Sequence, residues 1–436
     1  MKKFSLTCAH AIVKYLISQK ILINGKKEAL FPGVFGIFGH GNVACLGQAL
    51  EENQKELPTY RGHHEQNMAL TGIGYARAKR RQQIFVATSS VGPGATNMVT
   101  AAGVAMSNRL PILLLPGDTY ANRMPDPVLQ QVEHFNNPSI TANDAFKPVT
   151  RYFDRITRPE QIIQSFPAAV QTMLDPADCG PACIALCQDI QGQTFDYPED
   201  FFKEKVHTIR RPRPDEFQII EAAEKIKSSK NPIIISGGGV FYSGAMDELS
   251  KFAIKHNIPV TQTVMGYSTM KRDHSHYAGQ IGALGGKNTN LIAKQTDLAI
   301  AIGTKLGDFT TGSWANFENA NFKLVSINVS RFDANKHLAQ AIVGDAKISL
   351  KDLSNALGDW RAGEEWNKKS QNELAAWNAH IDKESAPSNQ EIPSYVQVIG
   401  AIYKNSDPSD IAVTAAGGLV GEVVQVWRPR ELNTHE

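Results

Sequence analysis

Short, nearly unbroken apolar runs ending in glycine turns recur along this chain, and they restrict it to sheets covered on both faces. Val34 to Phe38 (VFGIF), Gln83 to Ala87 (QIFVA), Pro111 to Leu115 (PILLL) and Ala182 to Leu186 (ACIAL) show almost no polar alternation. A strand with one wet face alternates, whereas a parallel strand buried under crossover helices reads as a continuous apolar run. The intervening stretches have helical spacing and small residues, so the rhythm is βαβ. The fold class is α/β, built from doubly wound parallel-sheet domains, the first expected over residues 1–196. At 197–214 the chain turns polar, through YPEDFFKEK and RRPRP, and its prolines resist helix, so a linker is expected there.

A second α/β unit is expected over 215–357, where NPIIISGGG, IPVTQT, TDLAIAIGTKLGD and FKLVSINVS repeat the strand-then-turn pattern. Residues 358–392 have helical spacing with Trp366 and Trp377 and read as a connecting helix. A third unit starts at 393–436, with SYVQVIGAIYKN as helix and DIAVTAAGG as strand. One helix and one strand cannot bury their apolar faces without the rest of a sheet. A third domain that is truncated is therefore the expectation, and it fits a length of 436 residues at about 150 residues per domain.

Charge narrows the function. With 45 Lys+Arg against 43 Asp+Glu, no electrostatic argument favours nucleic acid or an anionic membrane as partner. No run of apolar residues is long enough to span a bilayer. The N-terminal MKKFSLTCAHAIVKYLISQKIL is interrupted by Lys14 and Gln19 and reads as an amphipathic helix rather than a signal peptide. Cys179, Cys183 and Cys187 fall at intervals of four, but in a strand that step spans about 13 Å, too far for one ion. Reduced structural thiols in a cytoplasmic protein that handles small molecules are expected.

Glycine turns follow the strands at Gly39-His40-Gly41-Asn42, Gly92-Pro93-Gly94, Gly237-Gly238-Gly239 and Gly417-Gly418. Backbone N–H groups and helix N-termini face outward at such positions, which is where α/β sheets bind ligands. The middle-unit glycines do not complete a dinucleotide fingerprint, since Tyr242 stands where G-x-G-x-x-G needs glycine, and they read as a tight scaffold turn. In YRGHHEQNMALTGIGYARA, Glu65 opens a helix whose Ala69, Gly72, Gly74 and Ala76 are small enough for close packing. Glu65 has two open readings, a favourable charge at the helix dipole or a working carboxyl group, and His63 and His64 can equally be polar loop residues. Asp308 and Asp345 read as turn or helix-cap residues. No G-x-S-x-G, H-E-x-x-H or G-x-x-x-x-G-K-[ST] segment is present.

Taken in order, FGIFGHGN, HHEQNMALTGIGYARA, ATSSVGPGATN and SNRLPILLLPGD resemble the thiamine-diphosphate-dependent enzymes of the acetolactate synthase and pyruvate oxidase type. Members usually carry TSGPGATN. TSSVGPGATN has extra residues before Gly92 and, with GHGNVACLGQALEE, PDPVLQQVEH, GDFTTGSW and VWRPRELNT, is similar to a branch that hydrolyses a C–C bond of a cyclic 1,2-dione in inositol catabolism. The resemblance implies a pyrimidine-binding, a central and a diphosphate-binding domain, with thiamine diphosphate and Mg²⁺ as cofactors. It implies that Glu65 hydrogen-bonds N1′ of the cofactor pyrimidine, that Gly39, Pro93 and Asn97 line the pyrimidine pocket, and that His40, His63 and His64 lie near the substrate. In relatives the Mg²⁺ and diphosphate are held by a G-D-G segment and a later asparagine. None follows Gly418, so no metal ligand is expected in this chain, and neither tight cofactor binding nor turnover is expected of it. A homodimer or homotetramer is implied for the full-length enzyme. A carboligase or decarboxylase, and a non-catalytic binding protein, are the competing readings.

Overall fold

Side chains that are apolar on both faces of a strand need a helix layer on each side, and the strands obey this. In the computed structural model, which describes residues 2–434, the chain forms two compact units that divide between Arg210 and Arg211. The first contains β1 (Lys3–Thr7), β2 (Gln19–Ile23), β3 (Lys26–Ala29), β4 (Val34–Gly36), β5 (Thr59–Arg61) and β6 (Val86–Ser89). It continues with β7 (Leu113–Asp118), β8 (Tyr152–Ile156), β9 (Ala182–Cys187), β10 (Thr194–Pro198) and β11 (Lys205–His207). Its main sheet is parallel, in the order β5-β4-β6-β7-β9-β8. Every residue of β6, β7 and β9 is buried, which is why these strands read as apolar runs. Ile12, Leu16, Val34, Leu113, Phe166 and Ile184 belong to the core beneath them.

The second unit contains β12 (Pro232–Ser236), β13 (Val260–Gln262), β14 (Tyr277–Gln280), β15 (Leu298–Ile302), β16 (Lys323–Asn328) and β17 (Gln340–Val343). All are parallel, in the order β14-β13-β12-β15-β16-β17, the 3-2-1-4-5-6 order of doubly wound sheets. The glycine turn after β12 lies directly against the turn after β15. A Cβ at Gly237 would come within 2.6 Å of the Gly303 carbonyl oxygen, and one at Gly239 within 2.5 Å of the Gly303 Cα. These glycines thus do the work of a scaffold turn. Asp345 caps the helix Ala346–Leu357 by accepting from Lys347 N–H, and Asp308 opens the short helix Asp308–Thr311.

Three local expectations need correcting. The N-terminal segment is helical only over Cys8–Ser18. β1 pairs with β10 and β2 with β3 and β11, long-range and hairpin partners that override the helical pattern on either side. Within 197–214, expected as linker, β10 runs to Pro198 and β11 pairs in parallel with β2. DIAVTAAGG forms no strand beyond an isolated bridge at Ala412, and Ile411 and Val413 are exposed, because no neighbouring strand offers a ladder. The stretch around Trp366 is helical over Glu364–Glu384, with the Trp366 indole N–H donating to the Pro232 carbonyl at 2.8 Å. Cys179, Cys183 and Cys187 are buried free thiols, the last two on β9.

The second unit also buries neutral histidines. His256 bonds to the Trp360 carbonyl at 2.7 Å and the Ser354 hydroxyl at 2.9 Å, and His276 to Asn257 Oδ1 at 3.1 Å. Burial lowers both from the usual imidazole value; at His276, helped by the charge of His274, it reaches about 4. At His276 the unfolded chain then binds more protons than the folded one between about pH 6.5 and 4, so stability falls as pH drops through that window, by at most about 1.4 kcal/mol per pH unit, and His256 acts in the same direction. Urea unfolding at a series of pH values should show this decline, flattened in His276→Gln, and an unchanged midpoint across the window would exclude it.

Candidate active site

Three carboxyl-end turns of the first sheet converge: the turn after β4, the start of the helix after β5, and the turn after β6. The helix Glu65–Ala78 begins four residues past β5, with His64 as its N-cap. Its seat is close because Ala69 and Ala76 are fully buried and a Cβ at Gly72 would meet Phe85 at 3.1 Å and Ile112 at 3.2 Å. Gly74, by contrast, is exposed with nothing within 4 Å of an added Cβ, so it plays no packing role.

Glu65 is half-buried on the first turn of that helix, where the orphan N–H groups and dipole favour a negative charge. The Asn97 amide donates to its Oε2 at 2.8 Å. Its Oε1 faces Gly94, where an added Cβ would come within 3.2 Å. His64 Nδ1 lies 3.4 Å from the Asn67 backbone N–H and accepts from it, and its Nε2 lies 3.5 Å from the Asn97 amide nitrogen, whose two hydrogens can serve Glu65 and His64 together.

The other two turns are held rigidly. Gly39 N–H donates to Asn42 Oδ1 at 2.9 Å, and buried Asn42 in turn donates to the Ile37 carbonyl and Thr88 hydroxyl, both at 3.1 Å. Gly41 N–H donates to Ser90 Oγ at 3.2 Å, and the Gly41 carbonyl accepts from Gln191 at 2.6 Å. Gly92 has φ +68°, and a Cβ there would lie 1.9 Å from the Gln130 carbonyl oxygen. Pro93 starts the short helix Pro93–Thr96 and is exposed.

Of the residues singled out from the sequence, Glu65, His64 and Asn97 form one cluster, with Gly94 of the Pro93 turn against the carboxylate. Gly39 belongs to the neighbouring turn, joined to it through Ser90. His40 and His63 are exposed, with the His40 carbonyl accepting from Gln188. Ser90, Asn42 and Gln130 lie in segments quoted from the sequence but were not singled out as site residues. Ser90 sits among the extra residues of TSSVGPGATN, a signal that was visible, whereas Gln130 comes from a loop with no periodicity. Among the described residues, no group of three or more His, Cys, Asp or Glu is arranged to hold a metal ion, and no helix is long and apolar enough to cross a membrane.

The Glu65 carboxylate thus faces the glycine turn that follows β6, at the carboxyl ends of a parallel sheet. Residues 20–137 match the N-terminal TPP binding domain of thiamine pyrophosphate enzymes, and residues 219–353 match their central domain. The chain belongs to the thiamine pyrophosphate enzymes. Over its whole length it is 42% identical to a 3D-(3,5/4)-trihydroxycyclohexane-1,2-dione hydrolase of Geobacillus thermodenitrificans and to one of Clostridium tetani, and it spans 71% of each. A Bacillus anthracis protein of the same name is 40% identical over 100% of this chain and 71% of its own length.

Two glycines of this site should respond oppositely to substitution. Gly92→Ala is expected to cost about 1–3 kcal/mol for the left-handed backbone alone, with the Gln130 carbonyl displaced in addition. Gly74→Ala, in open helix, should stabilise by about 0.5–1 kcal/mol. Denaturant midpoints of the two variants decide it, and equal shifts would contradict the described turn.

Proposed function

We propose that this chain is the pyrimidine-binding and central part of a thiamine-diphosphate-dependent hydrolase that opens 3D-(3,5/4)-trihydroxycyclohexane-1,2-dione to 5-deoxyglucuronate in myo-inositol catabolism. The observation that carries this reading is the identity of 40–42% across the whole chain to relatives that all bear the dione hydrolase name. The reaction adds water across the bond between two carbonyl carbons, so that one becomes a carboxylate and the other an aldehyde.

Thiamine diphosphate, when bound, supplies a nucleophilic ring carbon and an electron sink. The chain's own contribution in this reading is proton control and orientation. Glu65 would share a proton with the pyrimidine N1′, and the Asn97 amide on Oε2 fixes the carboxylate so that Oε1 is the oxygen presented at Gly94. The glycine turns at 39–42 and 92–94 bring backbone close enough to hold a planar ring, with Gly39 and Pro93 on its border. His40, His63 and His64 are the candidates for substrate hydroxyls. Magnesium would accompany the diphosphate in the same reading, and no residue of this chain is assigned to it. A homodimer or homotetramer in the cytoplasm completes the proposal.

Product analysis with the cyclic dione and, separately, pyruvate, on this chain extended to the length of its dione hydrolase relatives, tests the substrate class. Ring-opened acid from the dione is the expected product, and turnover of pyruvate alone would replace the reading with a carboligase or decarboxylase. In the same extended chain, Glu65→Gln should slow hydrogen exchange at cofactor C2 by about 10²–10⁴-fold with the fold intact. Exchange at the wild-type rate would remove Glu65 from this role.

A further inference from the structure

The segment 119–140 leaves the end of β7 and carries some of the most exposed apolar side chains of the first unit, Met124 at 86% and Phe135 at 96%. Loops of this length without secondary structure stay ordered only if something ties them down. Here both ends are tied by one side chain. Arg155 on β8 donates through Nε to Asp118 Oδ2 at 2.8 Å and through an Nη to Asp144 Oδ2 at 2.6 Å, with a further bond to Thr141 Oγ1 at 2.8 Å. Asp118 precedes the loop and is buried; Thr141 and Asp144 follow it.

The sheet makes this reach possible. β9 lies between β7 and β8, and the register sets Arg155 beside Ala185 and Asp118 beside Cys187. Small residues at these positions let the guanidinium cross β9. Burial opposes the Asp144 charge, but hydrogen bonds from Lys147, Thr141 N–H and Arg155 hold its carboxyl below the usual range. The Asp189 carboxylate ties the entry of the loop a second time, accepting from the N–H groups of Ala121 and Asn122.

The middle of the loop touches the candidate site. The Gln130 carbonyl occupies the space a side chain at Gly92 would need, and Gln130 Oε1 accepts from Ser90 Oγ at 3.2 Å. The geometry points to Arg155 as a positioning residue: by bridging Asp118 and Asp144 it clasps both ends of loop 119–140 and holds Gln130 against the glycine turn beside Glu65. This rests on the reading of the Glu65 cluster as the reaction site.

Amide hydrogen exchange on the whole chain, comparing wild type with Arg155→Met and Arg155→Lys, tests it. In Arg155→Met, exchange over 119–140 should rise by about tenfold or more and rise also over 90–94, with β6 and the residues after Arg211 unchanged. Arg155→Lys should restore much of the protection. If Arg155→Met does not fold, Asp144→Asn, which removes one arm only, is read the same way. A folded variant with wild-type exchange in the loop, or a loosened loop with residues 90–94 unaffected, overturns the proposal. In dione hydrolysis, a loop ordered in one molecule in ten raises KM by about tenfold at unchanged kcat, and a loss confined to kcat speaks against positioning. If the chain extended to the length of its dione hydrolase relatives does not turn over the dione, the functional reading fails, and the exchange pattern judges the clasp by itself.

Discussion

Backbone meeting backbone at the carboxyl ends of the strands is the constraint on which the rest of each unit depends. In the first unit a Cβ at Gly117 would lie 2.6 Å from the Gly41 carbonyl oxygen; in the second, Gly237 and Gly239 bear the same relation to Gly303. Neither approach tolerates a side chain, so the loops above the sheets are placed by main-chain contact and not by packing that could be exchanged. The two units differ in what adjoins this close approach. Beside Gly41 stands Ser90, whose hydroxyl accepts from the Gly41 N–H; around Gly303 the turns after β12 and β15 meet main chain to main chain.

Much of this was legible in the sequence because it is local. Fully buried strands announce themselves as apolar runs, and four of them fell within a few residues of β4, β6, β7 and β9. Glu65 was legible as the residue opening a helix of small residues, and the choice between a dipole partner and a working carboxyl came from the resemblance, not from the residue itself. Its pairing with Asn97 across 32 positions could not be read locally. The same holds for β1 with β10 and β2 with β11, whose partners lie nearly two hundred residues away and turn a helical pattern into strands.

Gln130 and Arg155 illustrate a different limit. Arg155 stands in no motif, and although Gln130 lies within PDPVLQQVEH, a loop without periodicity offers no pattern from which its contacts could be inferred. Their importance arises from strand order: because β9 is inserted between β7 and β8, an arginine on one edge strand faces the aspartate that ends a strand two places away. Sequence spacing does not encode that neighbourhood. Of the cysteines at intervals of four, only Cys187 has a part here, as a narrow side chain beside Asp118 on the strand the arginine crosses.

Those cysteines have a consequence for how the protein meets reagents and oxidants. Burial pushes the thiols of Cys183 and Cys187 far above their ordinary range, Cys179 to about 11 and Cys8 to about 12, so the nucleophilic thiolate is scarcely populated at neutral pH. Cys45, whose thiol burial also raises, is the one of the five that is not fully buried, and so the one most open to alkylating agents. The remaining four become chemical reporters of opening, labelled at the rate at which the first unit breathes and not at the rate of thiol chemistry.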